Sequence, residues 1–180
     1  MYKILILIVA LALSGCVGHN RQSIHQGYDK FSDEHTVFID LGEADFNPEK
    51  FRGAERYIIF GIKEIKKSEK EEFLLNVHVE CGIGHRVDQE ELTIKKESPL
   101  ILLIDGHRYQ LVFKENSRHN AYGVGFFLGR RTSAVDFYLP VGIFSQLKKS
   151  KKVEYKIHYH PADIEGSFSE ENFKNLEKIK

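Results

Sequence analysis

The stretch Leu100-Ile-Leu-Leu-Ile-Asp-Gly-His-Arg-Tyr-Gln-Leu-Val-Phe113 carries the reading of the fold, because two apolar runs flank Asp105-Gly106. A two-residue type I′ turn needs positive φ at both central positions, and Asp-Gly reaches that conformation at little steric cost. A β-hairpin is expected here, with Pro99 at the strand entrance, where a missing N–H is tolerated. Upstream, residues 36–40, 56–62 and 73–80 are rich in β-branched and aromatic side chains. In the last of them Leu75, Val77 and Val79 alternate with Asn76, His78 and Glu80, the period of a half-buried strand. Residues 92–95 form a short alternating run.

Downstream, residues 122–128 and 133–139 read as strands, with Gly123, Gly125 and Gly129 marking bends or close backbone approach and Pro140 ending the second. Residues 141–149 suit a short helix, with Ile143, Phe144 and Leu147 on one face. In the run 153–159, Val153, Tyr155, Ile157 and Tyr159 are expected inside, and Glu154, Lys156 and His158 outside. A last helix opens at Ser169, with Glu170 and Glu171 in its first turn. Phe168 and Phe173 are spaced as a hydrophobic staple, and Leu176 and Ile179 continue the apolar face. Many short strands, few helices and no internal repeat predict a mainly β protein, an antiparallel β-sandwich with a short C-terminal α-helix. A small closed β-barrel is the alternative.

The amino terminus has another character. Lys3 and the free amine precede an unbroken apolar run from Ile4 to Leu13, followed by Ser14, Gly15 and Cys16. Ten apolar residues match a signal-peptide core and fall short of the roughly 20 needed to span a bilayer. The ending Leu13-Ser14-Gly15-Cys16 resembles the lipobox of bacterial lipoproteins. That resemblance implies cleavage before Cys16, a diacylglycerol thioether on its sulfur and acylation of the new amine. It implies attachment to the cell membrane through lipid. Val17, where an inner-membrane retention signal would place Asp, favours the outer membrane in a host that has one. The implied organisation is a signal peptide over 1–15, a lipidated Cys and flexible tether over 16–35, and one β-rich domain over 36–180. The polar tether reaches about 25 Å on average. An alternative within it is that Tyr28 and Phe31 dock on the domain. From the Asp-Gly turn onward, the order of strand, Tyr-Leu-Pro exit, short helix, strand and last helix resembles uncharacterised β-rich domains of envelope lipoproteins, a resemblance that implies no activity.

Composition narrows the function classes. Lys plus Arg and Asp plus Glu are 26 each in 180 residues, and loss of residues 1–15 removes only Lys3, leaving the mature chain near −1. No basic footprint marks a nucleic-acid partner. If Cys16 carries lipid, Cys81 is left without an intramolecular partner, and a lone Cys is usually a small buried hydrophobe.

Nine His residues are many for this length. His158 and His160 stand two apart on an expected strand, a spacing that can aim two imidazoles at one metal, although zinc sites usually take three protein ligands. His78, Cys81 and His85 form a looser group. Arg130 and Arg131 are candidates for an anion or a lipid headgroup, against a plain turn-flanking pair. Asp105 already has a turn role, and no G-x-S-x-G, H-E-x-x-H or P-loop pattern occurs.

The expectation is a non-enzymatic, membrane-anchored envelope lipoprotein that binds a partner protein or supports an assembly, with no cofactor beyond the lipid on Cys16. A metal-dependent envelope hydrolase using the His-rich loops, or a carrier of a small apolar ligand, are the alternatives.

Overall fold

A computed structural model describes residues 24–46, 56–83, 94–95, 98–115, 119–124, 129–159 and 162–179. Among the described residues, eleven strands and two helices follow in chain order. They are β1 (Ile24–Asp29), β2 (Glu34–Glu43), β3 (Asp45–Phe46), β4 (Arg56–Lys67), β5 (Lys70–Ile83), β6 (Leu100–Ile104), β7 (His107–Leu111), β8 (His119–Val124) and β9 (Gly129–Tyr138). Then come α1 (Val141–Lys149), β10 (Val153–Ile157), β11 (Ile164–Ser167) and α2 (Glu170–Leu176). The strands form two antiparallel sheets, ordered β1-β2-β4-β5-β9-β8 and β3-β11-β10-β6-β7. The chain is thus a β-sandwich with a short C-terminal helix, and its sheets do not close into a barrel.

Period-2 alternation builds the core. Ile58, Phe60 and Ile62 of β4 and Leu75, Val77 and Val79 of β5 meet Leu100, Leu102 and Ile104 of β6 and Val153, Tyr155 and Ile157 of β10. Burying each such side chain contributes about 1.5–3 kcal/mol, and this interlayer is the main source of stability. The hairpin at its centre forms as its turn chemistry demands, with φ +48° at Asp105 and +85° at Gly106. The Asp105 carboxylate also accepts hydrogen bonds from the Lys151 and Lys152 amides, both at 3.0 Å. It thereby pins the turn to the start of β10.

One flank of the sandwich is laced shut by backbone. Past Leu111 the chain leaves the second sheet and joins β9 of the first. Tyr138 N donates to Val112 O and Lys114 N to Asp136 O, both at 2.9 Å. On the opposite flank β2 crosses into β3 through a bulge at Asp40–Gly42, where Gly42 adopts φ +89°. At the bulge α2 supplies donors to two carbonyls of β2. Asn172 Nδ2 donates to Leu41 O (2.8 Å) and Gly42 O (3.0 Å), and Asn175 Nδ2 to Leu41 O (3.1 Å). Ser169 caps the helix as expected, and Asn172 returns a bond to the Ser169 amide at 2.8 Å, closing a capping box. The Phe168 and Phe173 rings lie 6.0 Å apart, the staple anticipated from their spacing.

Three local expectations change. Residues 24–35, expected as tether, are strand and turn, with β1 paired to β2 from Ile24↔Ile39 to Asp29↔Glu34. Tyr28 stacks on His35 at 4.4 Å, while Phe31 stays 90 % exposed instead of docking. The strand expected over 122–128 is seen over 119–124, with 125–128 outside the described residues. Of the run 92–95, Ile94 bridges Tyr159, and residues 92–93 lie outside the described residues.

Candidate functional site

The alternation that buries one face of the second sheet turns Ile101 and Leu103 of β6, Glu154 and Lys156 of β10, and Glu165 and Ser167 of β11 outward. Together with β3 they line an open concavity of about 510 Å³. Its floor is apolar, from half-buried Ile101 and Leu103, and its walls are charged. The hollow lies on the outer surface of the sheet, not between the two sheets.

Gly166 makes room for this arrangement. A Cβ at Gly166 would lie 2.0 Å from Asp45 O and 2.6 Å from the Tyr155 hydroxyl, so only glycine lets β3 and Tyr155 approach β11 so closely. The Tyr155 ring faces inward against Phe60, at 4.9 Å, and its hydroxyl donates to Asp45 O at 2.9 Å. Burial pushes the Tyr155 hydroxyl far above the ordinary tyrosine range, with the Asp45 carboxylate adding to the effect. It stays a neutral donor and fixes the β3 wall of the groove.

Asp163, outside the groove lining, is the hub of the charge cluster that includes Lys156. Its Oδ2 lies 3.3 Å from both Lys156 Nζ and His158 Nδ1, and its Oδ1 lies 3.6 Å from Lys95 Nζ. Lys156 also meets Glu165 at 3.0 Å, and Lys152 meets Glu154 at 3.2 Å. Burial raises the Asp163 carboxyl, but hydrogen bonds from Lys156 and His158 outweigh it and hold the group below its usual range. The Glu165 and then the Asp163 bonds raise Lys156 in turn. Pairs this exposed contribute at most about 1 kcal/mol each to folding. Their effect is to hold a fixed pattern of charge beside an apolar floor.

The residues singled out from sequence are placed unequally. His158 is on this face as expected, held by Asp163, whereas His160 and Cys16 lie outside the described residues. Among the described residues no three His, Cys, Asp or Glu side chains gather as a metal-binding group. Cys81 lies on β5, in register with Arg56 and Arg131. Arg130 and Arg131 lie on β9, between β5 and β8, where they pair with Gly82 and Cys81 and with Gly123 and Tyr122. Asp105 is engaged by backbone amides, in keeping with a structural role. Sequence reasoning passed over Asp163, Glu165 and the apolar pair Ile101 and Leu103. The pair was legible as the alternate positions of a strand whose partners Leu100, Leu102 and Ile104 are core.

Comparison with protein-family models, with curated proteins and with solved structures finds no match to this chain.

Proposed function

We propose that this chain is a lipoprotein held at the cell envelope by lipid on Cys16, in the outer membrane where the host has one, and that its sandwich is a non-enzymatic module that docks a partner protein. The observation that carries the docking reading is the groove of the second sheet. An apolar patch of Ile101 and Leu103 lies beside prearranged charges on β10 and β11 that contribute little to folding. Such a patch suits an apolar anchor side chain from a partner, with the surrounding charges setting register and excluding wrong partners. The anchor reading is supported by the lipobox-like ending of the first 16 residues.

The test is in-cell photo-crosslinking from position 103, with position 141 as an exposed control, followed by capture of the lipoprotein and identification of the adduct. One dominant envelope protein joined from position 103 and not from position 141 is the expected result. Equal labelling from both positions, or none from 103 under efficient capture, refutes docking at this groove. A Cys16→Ser variant, with loss of acyl label and of membrane fractionation, tests the anchor separately.

A further inference from the structure

We infer that β1 and the turn that follows it form a lipid-contacting strip, which lays this edge of the first sheet on the bilayer surface beside the anchor; the inference rests on the lipidation of Cys16 proposed above. Ile24 and Tyr28 of β1 are cross-strand partners of Ile39 and His35, so they share the inner face of the first sheet. Ile39, one strand in, is 5 % exposed, whereas Ile24 is 40 % and Tyr28 56 % exposed. β1 is the edge strand of its sheet, and all six of its residues are exposed.

The turn beyond β1 continues the strip and is built to hold its shape. Asp29 accepts the Phe31 amide and the Ser32 hydroxyl, both at 2.9 Å. The Tyr28 hydroxyl donates to Asp33 at 3.1 Å, and Asp33 adopts φ +50° to close the turn. These bonds fix a Phe31 that is 90 % exposed, with Lys30 Nζ 5.0 Å from its ring centroid. A rigid turn that projects a phenyl ring and a lysine is suited to the interface of a bilayer, where aromatic rings sit at headgroup depth and the ammonium group stays in water.

The occupant follows from chain length and charge. Ile24 is eight residues after Cys16, so at most about 29 Å of extended chain separates the lipid from the start of the strip. The strand itself runs roughly 17 Å from Ile24 to Asp29, and Phe31 projects from the turn at its end. A bilayer is therefore within reach of this surface whenever the anchor is inserted. Asp29, Asp33 and Glu34 outnumber Lys30 here, so attraction to anionic lipid is not the driving force and a zwitterionic surface suffices. The carboxylates of Asp29 and Asp33 are engaged in the bonds of the turn.

The sequence contains no tryptophan, so Phe31→Trp and Val112→Trp each introduce a single emitter at a position already exposed. Val112 borders β9, separated from β1 by β2, β4 and β5. The full-length lipidated protein is reconstituted in phosphatidylcholine vesicles, with and without brominated acyl chains, and the acylation of Cys16 is checked by mass. The expected result is a blue-shifted emission from position 31, quenched severalfold by bromolipid, and a water-like, unquenched emission from position 112. If the protein is acylated and floats with the vesicles while position 31 stays water-like, the strip is refuted and the anchor stands. If Cys16 carries no lipid, the anchor reading fails and the strip falls with it. A blue shift without bromolipid quenching points to a second protein surface covering Phe31, and quenching at both positions to unoriented adsorption; either result overturns the inference.

Discussion

Replacement of Asn172 by alanine is expected to cost far more than replacement of Asn175, although both are buried amides on α2. Asn172 makes three side-chain bonds, to Leu41 O, Gly42 O and the Ser169 amide. Leu41 O keeps a second donor in Asn175, so Asn172→Ala leaves two groups without their partner, Gly42 O and Ser169 N. A buried polar group deprived of its bond costs about 1–3 kcal/mol, and the partial exposure of Ser169 lowers its share, so a loss of about 2–4 kcal/mol is expected. Asn175→Ala removes one bond from a carbonyl still served by Asn172 and one from the exposed Lys178 ammonium, which water replaces, and should cost about 1 kcal/mol. Urea unfolding of a soluble chain beginning at Val17 reads the difference. With a slope near 2 kcal/mol per molar, the first variant should lower the midpoint by about 1–2 M and the second by about 0.5 M. The double variant strips Leu41 O completely and should be worse than the sum of the two. A loss in Asn172→Ala no larger than in Asn175→Ala, at unchanged slope, would refute the claim that α2 is held to β2 by the carbonyls of the bulge.

Gly166→Ala should destabilise by about 1–3 kcal/mol or abolish folding, because its Cβ would sit 2.0 Å from Asp45 O, whereas Gly27→Ala, with open space around it, should stay within about 0.5 kcal/mol of the parent; thermal melts compare them. Tyr155 has its ionisation raised from 10.0 in the folded state, so its contribution is complete below that pH and is lost as pH rises above it, by up to about 1.4 kcal/mol per unit. Tyr155→Phe should therefore be less stable at neutral pH by one hydrogen bond yet show a shallower alkaline decline; parallel urea-midpoint curves for the two proteins would contradict this. Asp163 is lowered from 3.8, so its contribution is present above that pH and is lost as pH falls below it. Asp163→Asn should flatten the acid limb of the same curve by less than about 1 kcal/mol, since the cluster is partly exposed.

Features with local causes were legible in the sequence. The central hairpin follows from two residues able to take positive φ, the inner face of β10 from strict alternation, and the start of α2 from a cap and a staple. β11 was not legible. Its sequence Ile-Glu-Gly-Ser has a glycine where a strand would place an apolar residue, and it is a strand because β10 pairs with it and the Tyr155 ring occupies the space over Gly166. β1 was hidden for a related reason, since Ile-His-Gln-Gly-Tyr-Asp has little strand propensity and its pairing with β2 is a tertiary effect. The groove inherits both difficulties. His158 could be put on the outer face from its own strand, but Asp163 reaches Lys156 and His158 only through the β10–β11 register, in which Ile157 pairs with Ile164 and Lys156 with Glu165. Without that register the carboxylate is one acidic residue among many.

That register also decides how the groove would act under the docking reading. Asp163 is already engaged by Lys156 and His158, and Glu165 by Lys156, so a partner meets charges that are largely paired within the protein. Paired, exposed charges steer and discriminate more than they hold. Affinity then has to come from the floor, and a hollow of about 510 Å³ accommodates one or two side chains and not a broad flat surface. The two contributions separate experimentally. Leu103→Lys places a charge on the floor and should abolish the adduct formed from a photo-crosslinker at position 101. Lys156→Gln leaves the floor intact and should preserve that adduct while changing its dependence on salt. If Lys156→Gln abolished the adduct and Leu103→Lys spared it, the charged side chains would be the contact and the apolar floor incidental. The partner would then be one that reads charge alone, and the anchoring role given to Ile101 and Leu103 would be wrong.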